Sequence, residues 1–220
     1  MTTPSSTHLM LDESPSEASI ASAANAATRA ALAAGADARD VAERLLGWHE
    51  QAVHLKVTVT PVEVLRLATA LRSRTSELSR IKRRINETNK LTRGKTADER
   101  LALGLPCPLL DTDNRCAAYD ARPLSCAGTN SFDAVGCQKT LAQESAEPVP
   151  HDPVLLRAAS AVAAGVTEAT LEARRDGRIL ELVAALKIAL DDPEAKSKWQ
   201  RGEPVFQAAV DAEFALAMQG

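Results

Sequence analysis

From Leu105 to Pro150 the chain carries all four of its cysteines and five prolines, and neither a helical nor a strand period of apolar residues runs through the stretch. A loop this long is uncommon inside a compact domain unless something other than a hydrophobic core fixes it. Whatever fold the chain adopts must therefore close a proline-rich segment by other means, and thiolate ligation of a metal would provide them. The runs Asp111 to Asn114 and Gly128 to Ser131 place turn formers, not apolar helix faces, between the cysteines.

The segments on either side of it read as helices. Thr60 can cap a helix that begins with Pro61, and Glu63 can reach back to complete a capping box. Val64, Leu65, Leu67, Ala68 and Leu71 form its apolar face, and the pattern continues more weakly through Leu78, Ile81 and Ile85, so two helices are expected, the second strongly charged. Just before them, residues 55 to 60 alternate β-branched and polar side chains, which predicts one short extended segment. After Pro153 the helical period returns with Val154, Leu155, Ala158, Val162 and Val166, and again with Ile179, Leu182, Val183, Leu186 and Leu190 before Asp191-Asp192-Pro193 stops it. A last amphipathic segment runs from Glu203 to Met218, with Val205, Phe206, Ala209, Val210, Phe214 and Leu216 on one side. The expected class is mainly α: a helical domain whose long irregular cysteine-bearing loop closes around a metal site. Hydrophobic residues make up 45% of the chain and aromatics only 3%, so its core must be built from Ala, Leu and Val.

Residues 1–16, rich in Ser, Thr and Pro, read as a disordered tail. Residues 17–47 read as an Ala-rich helical segment broken near Gly35, and residues 48–218 as the cysteine-bearing domain. No apolar run is long enough for a membrane span, and the N-terminus lacks a basic start followed by an apolar stretch, so a cytoplasmic protein without a membrane partner is expected. With 26 basic and 29 acidic residues the net charge is −3, which carries no strong nucleic-acid signal. Local basic clusters occur at Arg80, Lys82, Arg83 and Arg84 and at Lys90, Arg93 and Lys95; both read as solvated helix faces.

Cys107, Cys116, Cys126 and Cys137 are separated by eight, nine and ten residues. Zinc knuckles space their cysteines two to four apart, so these intervals by themselves leave metal ligation and buried thiols equally open. Confinement of every cysteine to one 31-residue stretch favours ligation. Four thiolates satisfy a tetrahedral zinc or the corners of an iron–sulfur cluster. Loop closure adds little cost at these lengths, because it grows only with the logarithm of loop size. Arg122 stands as either a fixed positive charge beside the thiolates or a loop brace, and Tyr119 as either a cover over the site or a core residue.

The ordered pieces Cys107-Pro108-Leu109-Leu110, an acidic turn ending in Cys116, Tyr119, Arg122-Pro123-Leu124, Cys126, Asn130-Ser131 and Cys137 resemble the signature of the YkgJ-type cysteine-cluster family, zinc- or iron-chelating domains to which flagellin lysine N-methylase is also related. Ala189 to Pro193 and Trp199, Gly202, Glu203, Val205 and Phe206 extend the likeness over roughly residues 48 to 210. The resemblance implies a metal-binding protein holding zinc or iron, or an iron–sulfur cluster. The family's upstream cysteine cluster is missing: His49 stands at its first position, and Ala52 and Val53 replace the adjacent pair. A single four-cysteine centre, structural or metal-handling, is therefore expected; His49 and His54 could add an imidazole or stand as ordinary surface histidines. The alternatives are an iron–sulfur-dependent redox or methyl-transfer enzyme, which only the kinship suggests, and a degenerate relative acting as a helical interaction module. No glycine-rich phosphate loop or Ser-His-Asp order favours catalysis.

Overall fold

Thr60 departs from helical geometry (φ −84°, ψ 158°), its hydroxyl accepts the Glu63 N–H, and the Glu63 carboxylate accepts the Thr60 N–H at 2.7 Å. The capping box expected from the sequence thus starts α1, Pro61–Ser73, in a computed structural model that describes residues 56–112, 115–129, 133, 135, 139 and 153–217. The tail, the Ala-rich segment, His49, His54 and Cys137 lie outside the described residues. In chain order the remaining elements are α2 (Leu78–Thr92), α3 (Ala97–Ala102), a 3-10 turn at Tyr119–Ala121, α4 (Leu124–Gly128) and α5 (Pro153–Glu172). Strand β2 (Leu180–Glu181), α6 (Leu182–Asp191), α7 (Ala195–Gln200), a second 3-10 turn at Gln207–Ala209 and α8 (Ala212–Ala217) complete the fold.

The extended segment expected near residue 58 is β1, Thr58–Val59, and it pairs antiparallel with β2 in the register Thr58 to Glu181 and Val59 to Leu180. Its partner was not visible as a strand in the sequence. The apolar period from Ile179 onward hides a switch: Leu180 is held extended between Val59 and Val210, and the helix starts only at Leu182. Glu181 makes that switch, because its carboxylate accepts the N–H groups of Val183 and Ala184 as the N-cap of α6 and also pairs with Arg100 at 2.8 Å, both partners buried.

Helix α6 lies against α1 and α2 and is apolar round most of its girth, burying Leu182, Val183, Ala185, Leu186, Ala189 and Leu190. Against it pack Leu67 and Leu71 of α1 and Ile81 and Ile85 of α2, with Phe206 closing the cluster. The carbonyl end of α6 is covered by cations from both neighbours: Arg72 donates to the Ala189 and Asp192 carbonyls, and Lys82 donates to the Leu190 carbonyl at 3.1 Å. These charges face the negative end of the helix dipole, so Lys82 braces the fold and is not merely a member of a solvated stripe. A second capping box, Thr96 with Glu99, starts α3, and Gly104 at φ +58° then turns the chain toward Cys107. Among the described residues no helix is long and apolar enough to cross a membrane.

Candidate metal centre

The cysteine segment is more regular than its sequence suggests. Leu110 donates its N–H to the Cys107 carbonyl, and Leu110 then bridges antiparallel to Cys116, so the first two cysteines sit on a small hairpin. Asp111 closes it twice: its N–H donates to the Arg115 carbonyl at 2.8 Å and its carboxylate accepts the Arg115 N–H at 2.9 Å. Leu109 and Ala117, linked by the Ala117 N–H donating to the Leu109 carbonyl, are both buried in the core cluster. The apolar residues beside the cysteines thus anchor the hairpin and fix where its sulfurs lie.

Cys126 is placed differently, by the short helix α4. Glu63, having capped α1 with one oxygen, uses the other to accept the Leu124 N–H at 2.7 Å. Ser125 donates its hydroxyl to the Thr58 carbonyl at 3.0 Å, and Arg66 donates to the Asp120 carbonyl at 2.7 Å. Strand β1 and the first turns of α1 therefore hold the Cys126 helix from one side, and α5 packs against it.

These two arrangements bring Cys107, Cys116 and Cys126 together although 18 residues separate the outermost pair. The thiols lie close enough for charge on Cys107 and Cys116 to act on Cys126. None of the three is in a disulfide. Burial, reinforced by the two neighbouring thiols, pushes the Cys126 thiol up to about 12. Cys107 is also raised, first by desolvation. Its residue surface is exposed all the same. Protein crowds that sulfur without covering it: the open side decides what can reach it, and the crowding decides its charge. Two groups pull the other way, the Leu109 N–H hydrogen-bonded to the Cys107 sulfur and the positive charge of Arg84. A backbone N–H from two residues ahead onto a cysteine sulfur is an outer-shell contact that favours the thiolate. Among the described residues no set of three or more His, Cys, Asp or Glu side chains is drawn in tightly enough to hold an ion.

Known proteins add no name to this geometry. No family model, curated protein or solved structure matches the chain significantly. The likeness to cysteine-cluster proteins rests on the motif residues alone.

Arg122 and Tyr119 resolve into a local pair. The guanidinium lies 3.9 Å from the Tyr119 ring centroid and donates to the Tyr119 carbonyl, and Tyr119 is 59% exposed, neither core nor cover. Arg122 is thus the loop brace. The cation that acts on Cys107 comes instead from α2, out of the basic cluster read as a solvated face. Arg84 lies three residues after buried Ile81, about 60° round the helix from it at 100° per residue. It falls on the flank of the buried stripe, not opposite it. That phase was the signal available in the sequence.

Proposed function

We propose that the chain is a metal-binding protein whose single centre, structural or metal-handling, is formed by Cys107, Cys116, Cys126 and Cys137 and takes zinc or iron. The observation that carries this reading is the gathering of three unpaired cysteines from two separately anchored elements, a hairpin and a short helix. Buried thiols with no task tend to scatter along apolar helix faces, and none of these lies in one. The donor set suits the metals: sulfur ligands hold zinc in a tetrahedral site and bind iron in clusters. The Leu109 N–H on the Cys107 sulfur supplies the outer-shell support such ligands need. In the neutral form the buried thiols have no reason to draw closer than they do here, and Cys137 supplies the fourth ligand. Thiolates kept for this purpose require a reducing compartment, which the cytoplasm is.

Replacing Cys116 or Cys126 by Ser tests the reading. Metal content measured by elemental analysis should fall to background in each variant, and limited proteolysis should cut residues 105–150 faster, because structural metal binding is also folding energy, on the order of 10 kcal/mol in zinc-finger peptides. Metal content and protection unchanged in both variants would return these residues to ordinary buried thiols.

A further inference from the structure

Arg84 is the one cation near the cysteines whose side chain is left incomplete. Its Nε and Nη2 atoms are buried from solvent and have no hydrogen-bond partner. Those two nitrogens form the side-on fork of a guanidinium, the edge that grips an acceptor with two parallel N–H bonds. Burying such an edge without an acceptor is costly, so a buried empty fork implies an acceptor that arrives with another state of the protein. The other cations of α2 are already engaged or out in solvent: Lys82 bonds the end of α6, Arg80 lies 4.0 Å from Glu77, and Arg83 is exposed. Arg84 alone acts on Cys107. The acceptor that fits is chemical and local. A sulfur that gains negative charge on ligating a metal becomes a strong hydrogen-bond acceptor, and four thiolates around a divalent ion leave a net double negative charge for the protein to hold.

We propose that Arg84 is a positioning residue of the cysteine centre, its Nε–Nη2 fork hydrogen-bonding a thiolate sulfur of the metal-loaded cluster, Cys107 first, and compensating part of the centre's negative charge. This inference rests on the metal-binding reading above and adds to it the residue that stabilises the charged state. Arg122, committed to the Tyr119 ring and carbonyl, does not fill that role.

The test loads the full-length protein and its Arg84→Lys and Arg84→Met variants with Co2+, and follows both affinity, by chelator competition, and the sulfur-to-cobalt charge-transfer band. Methionine keeps the unbranched stem and most of the packing, so circular dichroism and the melting temperature of the metal-free protein should match wild type. Co2+ affinity should fall on the order of tenfold or more in Arg84→Met, the loss expected for a hydrogen bond to a charged group. The charge-transfer band should move to lower energy, since a sulfur relieved of a hydrogen bond gives up its electron more easily. Arg84→Lys, which keeps the charge and loses the fork, should fall between the two. Equal affinities and superimposable spectra in all three proteins overturn the role of Arg84 while leaving the four-cysteine centre standing. A wild-type protein with no sulfur-to-cobalt band overturns the centre, and the proposal with it. Loss of fold in the metal-free Arg84→Met protein would overturn the proposal as well, by making Arg84 a structural residue, unless Arg84→Lys folds normally and still shows the shifted band.

Discussion

Glu63 does two tasks with one carboxylate, and its replacement by Gln has a magnitude that follows from the contacts. One oxygen accepts the Thr60 N–H and hydroxyl at 2.7 and 2.8 Å, and the other accepts the Leu124 N–H at 2.7 Å. A glutamine can keep one of these sides, but its amide nitrogen then faces a donor on the other. Losing the reciprocal half of a capping box costs about 1 kcal/mol. Leaving the Leu124 N–H without an acceptor costs about 1 kcal/mol more. The expected loss is therefore about 2 kcal/mol, which for a chain of this size lowers the melting temperature by roughly 4 to 8 °C. The loss should also depend on pH in a definite sense. Burial outweighs the hydrogen bonds and raises the Glu63 carboxyl above its ordinary 4.5. A raised group contributes stability in full below its unfolded pKa and loses it as pH rises through the folded value. Glutamine does not titrate, so the advantage of wild type over Glu63→Gln should be largest in acid and shrink toward neutrality. Urea denaturation of both proteins across pH 4 to 8 measures this. A gap that widens with pH would show that the hydrogen bonds outweigh burial, and a gap near zero throughout would show that Glu63 does not hold α4 to α1.

Leu71→Ala, at a fully buried position packed among α1, α2 and α6, should destabilise by about 2 to 5 kcal/mol in urea titration with little change of slope. Arg100→Met should cost about 3 to 5 kcal/mol by the same assay, because it strands the buried Glu181 carboxylate that also caps α6, whereas a joint Arg100→Met, Glu181→Gln change should recover part of the loss. Metal uptake should tighten by about tenfold per pH unit for each thiol that must give up its proton. Cys126, raised to about 12, is one such thiol throughout the neutral range, so competition titrations at pH 6.5 and 7.5 should differ by at least that factor. A pH-independent affinity would mean that no buried thiol ligates.

The helices were legible because their signals are local. Thr60-Pro61-Val62-Glu63 encodes a cap in four adjacent residues, and Leu67, Leu71, Ile81 and Ile85 repeat at helical spacing. β2 was hidden because its apolar side chains continue the period of α6, and only pairing with Val59, a long-range contact, makes Leu180 extended. In the cysteine segment, the prolines and turn formers marked an irregular path but not the hairpin that Asp111 closes or the helix that carries Cys126. Glu63 could be read as a cap and not as an acceptor for Leu124, because that second role depends on a residue 61 positions away. Arg84 was masked by its basic neighbours. A run of four cations over five positions looks solvated, while its phase relative to Ile81 and Ile85 assigns one member to the protein's interior.

The central claim is that the four cysteines hold one metal centre. Anaerobic purification of the untagged protein from cells supplied with both zinc and iron, followed by elemental analysis, visible absorption and thiol counting under native conditions, tests it most directly. About one zinc per colourless chain, or iron with sulfide and broad visible absorption, together with cysteines that react with a thiol reagent only after a chelator or denaturant is added, is the predicted result. Protein that carries neither metal above background, and whose Cys107, Cys116 and Cys126 react without chelator, would contradict it.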